Sequence, residues 1–199
     1  MNKVFFSLII FCSIACGQRA DFFREDITFR LDGARMDVDG YYFFANNANT
    51  PMTSDIFFPF PTRGSNTVDS IRVFDLSRGR KVNYQRDSDN GISFVLSLTP
   101  HDTGLVEIGY RQELSDDSAV YILKTTRAWD KPLMRAEYKL LVPDSLTMTG
   151  YSYQPVKSYE IEGKKIYYWE MENFMPARDM IFHFKKDRMP ERSKRDGGL

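Results

Sequence analysis

Few side chains in this sequence could perform acid–base or nucleophilic chemistry. Its histidines are His101, in a predicted turn, and His183, in a predicted strand between two phenylalanines. There is no Gly-x-Ser-x-Gly segment, and the cysteines are Cys12 and Cys16, both near the N-terminus. A catalytic nucleophile needs a base and an orienting group within hydrogen-bond reach. We therefore predict no catalytic residues and expect the chain not to be an enzyme.

The spacing of the acidic side chains does not indicate a metal site either. Asp37-Val38-Asp39-Gly40 and Asp87-Ser88-Asp89-Asn90-Gly91 are similar to the start of a calcium loop. Neither supplies the third oxygen ligand before the glycine or the distant glutamate. Two distant histidines without a spare cysteine cannot complete a zinc site. We predict no metal and no cofactor, and we interpret both segments as hairpin turns.

Aromatic side chains, which make up 15% of the chain, are the main candidates for ligand binding. Ile166-Tyr167-Tyr168-Trp169 places rings on both faces of a predicted strand. Only one face of a sandwich strand enters the core, so some rings should be exposed, where they can stack on sugars or anchor a protein. Alternatively, the rings only stabilise the sheet through cross-strand pairs. The candidate ligand-binding residues are Tyr151, Tyr153, Tyr167 and Trp169.

The first fifteen residues predict a secretory signal. Lys3 precedes an apolar run over residues 4–14, which is followed by small residues. This order is typical of signal peptides, and the run is shorter than the roughly 20 residues that a bilayer span requires. We therefore expect an exported protein located in the cell envelope, with the periplasm or the exterior as alternatives.

Ser13-Ile14-Ala15-Cys16-Gly17 resembles the lipobox of bacterial lipoproteins, although Ser13 stands where leucine is usual. In that family the cysteine is lipidated and becomes the mature N-terminus, which implies that Cys16 is the lipid attachment site and anchors the chain to a membrane. A mature chain that begins at Cys16 has no second cysteine for a disulfide. The alternative is ordinary cleavage that leaves Gln18 first.

The charge balance limits the classes of partner. The chain has 27 basic and 27 acidic residues, and no run of basic residues dominates it. Nucleic-acid binding requires a net basic face that neutralises phosphates. We therefore exclude nucleic acid as the main partner, and expect a membrane contact through the N-terminal lipid and an envelope protein or glycan as the ligand.

Alternation of apolar and charged residues predicts strands throughout the body of the chain. In residues 134–142, Met134, Ala136 and Tyr138 share one face, and charged residues occupy the other. Turns are predicted at Asp39-Gly40, Asn90-Gly91, Asp116-Asp117 and Glu162-Gly163. Short strands between turns indicate an all-β, antiparallel, immunoglobulin-like β-sandwich, either as one sandwich or as two stacked units. The predicted division is 1–15 signal peptide, 16–24 tether, 25–112 first half, 113–184 second half and 185–199 flexible tail.

Two stretches support this fold by resemblance. Phe57-Phe58-Pro59-Phe60-Pro61, and Tyr121 to Thr126 with Trp129 and Pro132, are similar to segments of a largely uncharacterised group of exported bacterial β-sandwich proteins. Together with Glu172-Asn173-Phe174-Met175-Pro176, they cover roughly residues 25–184. The resemblance implies an envelope β-sandwich and supplies no active-site residues.

The leading functional hypothesis is a non-enzymatic envelope lipoprotein that acts in binding or assembly. The alternative is a carbohydrate- or peptidoglycan-binding module that uses exposed aromatic side chains.

Overall fold

A computed structural model describes residues 19–61, 67–87 and 90–186, without the side chains of Thr125, Arg127 and Ala128. The predicted signal peptide, Cys16 and the tail beyond Lys186 lie outside the described residues. Within the described ranges, fourteen strands and one 3-10 helix (Lys124–Trp129) form. The strands are β1 (Asp21–Leu31), β2 (Arg35–Ala45), β3 (Met52–Pro59), β4 (Val68–Asp75), β5 (Arg80–Lys81), β6 (Tyr84–Asp87), β7 (Gly91–Leu98), β8 (Thr103–Glu113), β9 (Ser118–Tyr121), β10 (Leu133–Pro143), β11 (Leu146–Tyr151), β12 (Lys157–Ile161), β13 (Lys164–Phe174) and β14 (Met180–Lys186). Among these elements, none is a helix with the length and apolar character needed to cross a bilayer.

Eight strands form the main sheet, in the order β12-β13-β10-β1-β2-β8-β4-β5. β1 pairs with β10 in parallel, whereas the other neighbours in this sheet are antiparallel. The prediction of a purely antiparallel sandwich is therefore wrong for this pair. Because β1 and β10 come from the two predicted halves, both halves contribute strands to one sheet.

Two three-stranded sheets pack on the same face of the main sheet. The first small sheet has the order β3-β7-β6, and the second has the order β11-β14-β9. The ring of Tyr42 in β2 meets Phe58 of the first small sheet at 5.3 Å, and Phe29 in β1 meets Phe182 of the second at 5.1 Å. The all-β prediction is confirmed. The eight-stranded order differs from the two sheets of an immunoglobulin domain.

Alternation explains why these strands form and which face they bury. In β1, Ile27, Phe29 and Leu31 are buried, and Arg30 between them is exposed. A strand whose successive side chains point to opposite faces buries one set of residues against the small sheets. β10 follows the predicted pattern at Ala136, Tyr138, Leu140 and Val142. Met134, predicted on the same face, is instead 70% exposed at the start of the strand.

The predicted hairpin at Asp39-Gly40 is wrong, because β2 continues straight through both residues. A Cβ atom at Gly40 would overlap the hydroxyl of Tyr42, so glycine here makes room for a core ring and does not form a turn. The actual turn lies at Gly33, where φ is +87°. Asp32 fixes it, since its Oδ1 accepts hydrogen bonds from the backbone N–H groups of Ala34 and Arg35.

The turn predicted at Glu162-Gly163 is confirmed, because both residues adopt positive φ between β12 and β13. Of the turn predicted at Asn90-Gly91, Asn90 precedes β7, whereas Gly91 is the first residue of β7 and pairs with Asp87 of β6.

The fold also begins earlier than the sequence indicates. β1 starts at Asp21, within the segment predicted as a tether, and Ala20 is buried. A register shift between Phe22 and Arg24 interrupts the alternation and conceals the strand start.

Candidate functional site

A cleft of 570 Å³ lies between the edge of the main sheet and the first small sheet. Its walls come from the end of β4, from β5 and β6 with their connection, and from facing parts of β3 and β7. Here the chain crosses between sheets, because β5 pairs with β4 and β6 pairs with β7. The volume is within the range of roughly 300–1,000 Å³ that small-molecule sites occupy.

A buried carboxylate lies at the inner wall of this cleft, which we call the Asp75 cleft. Asp75 is 2% exposed. It accepts hydrogen bonds from the backbone N–H of Arg78 at 3.1 Å and from the Arg78 guanidinium at 3.2 Å. Arg80 forms a longer ion pair with the same carboxylate, at 3.8 Å from its Nε. The turn that brings both arginines back to Asp75 ends at Gly79, where φ is +61°.

Arg80 lies beside this carboxylate, and 64% of its side chain remains exposed. A guanidinium group presents several N–H donors in one plane. Arg80 can therefore donate to a carboxylate or hydroxyl group that enters the Asp75 cleft.

Several other polar side chains line the cleft without a partner in the described part of the chain. They lie on both walls and include donors and acceptors: Asp55, Lys81, Asn83, Gln85 and Ser93. The hydroxyl of Tyr84 already has a partner within the fold, because it donates to the carbonyl of Ile71 at 3.2 Å. Val95, 54% exposed, adds an apolar surface. The arrangement suits binding of a polar ligand through hydrogen bonds.

The structure brings the four aromatic residues predicted to bind a ligand together, but it buries one of them completely. Trp169 is 0% exposed, so the prediction that its ring is available on the surface is wrong. Its Nε1 donates to the carbonyl of Tyr153 at 2.9 Å, and its ring packs against Tyr151 and Phe182. β13 lies inside the main sheet, and the neighbouring Tyr168 is also buried.

The three tyrosines are partly buried and take part in local packing. The rings of Tyr151 and Tyr167 lie 5.3 Å apart. The hydroxyl of Tyr153 donates to the carbonyl of Arg178 and accepts from the backbone N–H groups of Ala177 and Arg178, each at 3.1 Å. Tyr153 therefore fixes the loop before β14. Ligand binding by these tyrosines stays a prediction.

Sequence reasoning missed a second buried carboxyl group. Glu25 is 2% exposed and lies between the main sheet and the small sheets. Tyr138 donates to its Oε1 at 2.5 Å and Tyr121 donates to its Oε2 at 3.3 Å. The hydroxyls of Tyr121 and Tyr42 are 2.9 Å apart. Glu25 shares the inward face of β1 with Ile27 and Phe29, so the alternation could have revealed it.

The electrostatics of this Glu25–tyrosine cluster follow from its burial. Loss of hydration raises the pKa of Glu25 to about 7, although the hydrogen bonds from Tyr138 and Tyr121 oppose the shift. Burial and the nearby carboxylate raise the pKa values of Tyr42, Tyr121 and Tyr138 well above the usual range. An adjoining cavity measures 40 Å³, which is space for a few water molecules rather than a metabolite. We interpret the cluster as a structural network.

The remaining candidate sites are the lipid attachment site and the calcium-like segments. Cys16 lies outside the described residues. In residues 19–61, 67–87 and 90–186, no group of three or more His, Cys, Asp or Glu side chains could hold a metal ion. Asp39, from the calcium-like segment, forms ion pairs with Arg30 and Arg72 instead.

The fold is similar to known structures although the sequence is not. No protein-family model and no curated protein matches the chain. A crystal structure of a Legionella pneumophila protein with a proposed nutrient-binding role aligns with a TM-score of 0.70 and 13% identity, over 84% of this chain and 67% of that one. An M1 zinc metallopeptidase from Deinococcus radiodurans aligns with a TM-score of 0.52 and 18% identity. The alignment covers 84% of this chain but only 43% of the peptidase. At these identities the likeness shows that the fold is shared.

Proposed function

We propose that this chain is a non-enzymatic, lipid-anchored module of the bacterial cell envelope that binds a polar ligand in the Asp75 cleft. The observation that carries the proposal is the cleft of 570 Å³ in which an exposed arginine is ion-paired with a buried carboxylate. The anchoring part depends on the signal segment and on the lipobox-like residues that precede Cys16. The proposed nutrient-binding role of the Legionella protein agrees with a binding function on this fold.

The polar side chains favour a ligand rich in hydroxyl, amide and carboxylate groups. Asn83 and Gln85 can each donate and accept, Asp55 accepts, and Lys81 and Arg80 supply positive charge. Buried or bound polar groups need such partners, because an unpaired group costs about 1–3 kcal/mol. A cell-wall saccharide with its attached peptide carries all three group types. It is therefore the second, more specific candidate ligand, and the Asp75 cleft rather than the buried Trp169 is its proposed site.

Isothermal titration with soluble peptidoglycan fragments tests the ligand assignment. We expect Arg80→Gln to weaken binding about tenfold, because a charge-assisted hydrogen bond is lost. The control is Arg35→Gln, which removes an arginine of similar exposure that pairs with Glu113 at 2.8 Å, away from the cleft. Equal affinity in the wild type and Arg80→Gln would refute the assignment of these fragments to the cleft.

Intact mass of the membrane-extracted protein tests the anchor. We expect the wild type to begin at Cys16 with a lipid-sized mass increase, and the Cys16→Ser variant to lack it. A mature chain that begins at Gln18 without an adduct would contradict the lipid anchor while leaving the ligand proposal intact.

A further inference from the structure

The chain packs against one end of the fold from Arg19 onward, three residues after Cys16. Arg19 is exposed, and its guanidinium lies over the ring of Trp129 at 4.0 Å. Ala20 is buried, and its N–H donates to the hydroxyl of Ser54 at 3.0 Å. β1 begins at the next residue. The chain is thus integrated into the sandwich from Arg19 onward.

Only two residues, Gly17 and Gln18, separate Cys16 from Arg19. Three Cα–Cα steps span at most about 11 Å even when fully extended. A lipid on Cys16 inserted in a bilayer would therefore hold Arg19 within that distance of the membrane surface. This step rests on the lipid anchor of the proposed function.

The side chains around Arg19 have the chemistry of a membrane interface. Met134 is 70% exposed and Met175 is 39% exposed, so two apolar side chains reach the surface at this end. Lys131 and Lys124 have 63% and 57% of their side chains exposed and pair with Asp21 and Asp179. Trp129 is half-buried and stacks under Arg19. Tryptophan with flanking lysine and arginine is typical of protein surfaces at the headgroup level.

Strand pairing places these residues at the same end of the sandwich. Leu133, next to Met134, pairs with Phe174, next to Met175. β1 begins at this end, because its Arg24 pairs with Arg135 of β10. Asp179 accepts hydrogen bonds from the backbone N–H groups of Leu123 and Lys124, which brings the 3-10 helix to the loop that carries Met175.

We infer that this end of the sandwich is a membrane-facing surface, formed by Arg19, Lys124, Trp129, Lys131, Met134 and Met175, that lies on the headgroups of the bilayer holding the lipid of Cys16. The short connection supplies the proximity, and the exposed apolar and basic side chains supply the contact. The opposite end, where β12 ends at Ile161, lies about 30 Å away, since a strand of the length of β1 spans that distance.

A cysteine-labelling experiment on the full-length lipidated protein in phosphatidylethanolamine–phosphatidylglycerol vesicles tests this surface. A thioether at Cys16 leaves no free thiol, and Cys12 lies in the signal peptide, so a Met134→Cys variant carries one reactive site. The matched control is Ile161→Cys, since Ile161 is 51% exposed at the far end. We expect lipids with a spin label in the headgroup region to quench a fluorophore at position 134 but not at position 161.

Each outcome is decisive when the intact mass of the same sample is known. Equal quenching at both positions, or none at position 134, in a sample shown to be lipidated overturns the membrane-facing surface and leaves the anchor standing. A sample that carries no lipid overturns both.

The two tryptophans offer a second measurement that needs no label. We expect brominated lipids to quench Trp129 in a Trp169→Phe variant and to leave the buried Trp169 unquenched in a Trp129→Phe variant. Absence of Trp129 quenching in the Trp169→Phe variant would contradict the membrane-facing surface.

Discussion

Two carboxyl groups in this domain are equally buried and have opposite surroundings. Glu25 and Asp75 are each 2% exposed. Glu25 is enclosed by neutral tyrosine hydroxyls, whereas Asp75 is flanked by Arg78 and Arg80 at the wall of an open cleft. Burial alone therefore does not identify a functional carboxylate.

The two carboxyl groups differ in whether their hydrogen-bonding and ion-pair partners are accessible to a ligand. The oxygens of Glu25 accept hydrogen bonds from tyrosines that belong to the core, and the adjoining space is small. Asp75 forms an ion pair with an arginine whose side chain is 64% exposed beside unpartnered amides. We interpret Glu25 as a contributor to stability and Asp75 as a positioning residue for ligand binding. The following predictions test this division, from the largest expected effect to the smallest.

The largest effect is a loss of stability as the pH rises toward neutrality. The pKa of Glu25 in the folded state, about 7, lies above its ordinary value of 4.5, so the folded state binds the proton more tightly. The stabilisation from this group is complete below about pH 4.5 and is lost as the pH rises through about 7, and it amounts to about 3 kcal/mol.

Urea unfolding between pH 5 and 8 measures this loss. The Glu25→Gln variant should lack it, because the amide does not titrate, whereas Glu170→Gln, at an exposed position, should behave as the wild type. A wild-type slope equal to that of Glu25→Gln would show that Glu25 does not titrate in this range.

The Tyr138→Phe variant should show a smaller, pH-dependent destabilisation. It removes the hydroxyl that donates to Glu25 at 2.5 Å. A hydrogen bond to a charged acceptor contributes about 1.5–3 kcal/mol, so the loss should be larger at pH 8, where Glu25 is ionised, than at pH 5.

Tyr168→Phe is the matched control for Tyr138→Phe, because its hydroxyl donates to Glu137 on the outer face of the main sheet at 2.8 Å. The unfolding free energies of both variants at the two pH values decide the point. A pH-independent loss in Tyr138→Phe would contradict its role as a donor to the ionised Glu25.

The Asp75→Asn variant should have the smallest effect on stability, about 1 kcal/mol. The amide oxygen can still accept from the backbone N–H of Arg78, while the partly exposed ion pairs are lost. Ligand affinity should fall further than stability, since Arg80 loses its ion-pair partner. Thermal unfolding and titration on the same preparation separate the two effects, and unchanged affinity would remove Asp75 from the site.

Alternation identifies most strands but not their connections. The sequence predicts β10 almost to its ends, because its buried and charged residues follow a strict period of two. Asp39-Gly40 was misplaced because the same dipeptide fits a turn and a strand in which glycine admits the ring of Tyr42. Local sequence does not distinguish these two cases.

The sites depend on contacts that are distant in the sequence. The sequence predicts Trp169 to be available for a ligand because its strand carries rings on both faces, yet the sandwich covers it completely. The cleft forms where β5 and β6 belong to different sheets, and Arg80 meets Asp75 through a turn that the sequence did not mark. Neither the sheet change nor the pairing of β1 with β10 has a local signal.

The most direct test of the central claim is NMR mapping of the Cys16→Ser protein during titration with soluble peptidoglycan fragments. We predict shifts of the backbone amide signals of Arg80, Lys81, Asn83 and Gln85 that saturate together, with those of Glu25 and Tyr153 unchanged. Shifts confined to the surroundings of Tyr151 and Tyr153, or saturating shifts that spare the cleft, would contradict the claim that the Asp75 cleft is the binding site.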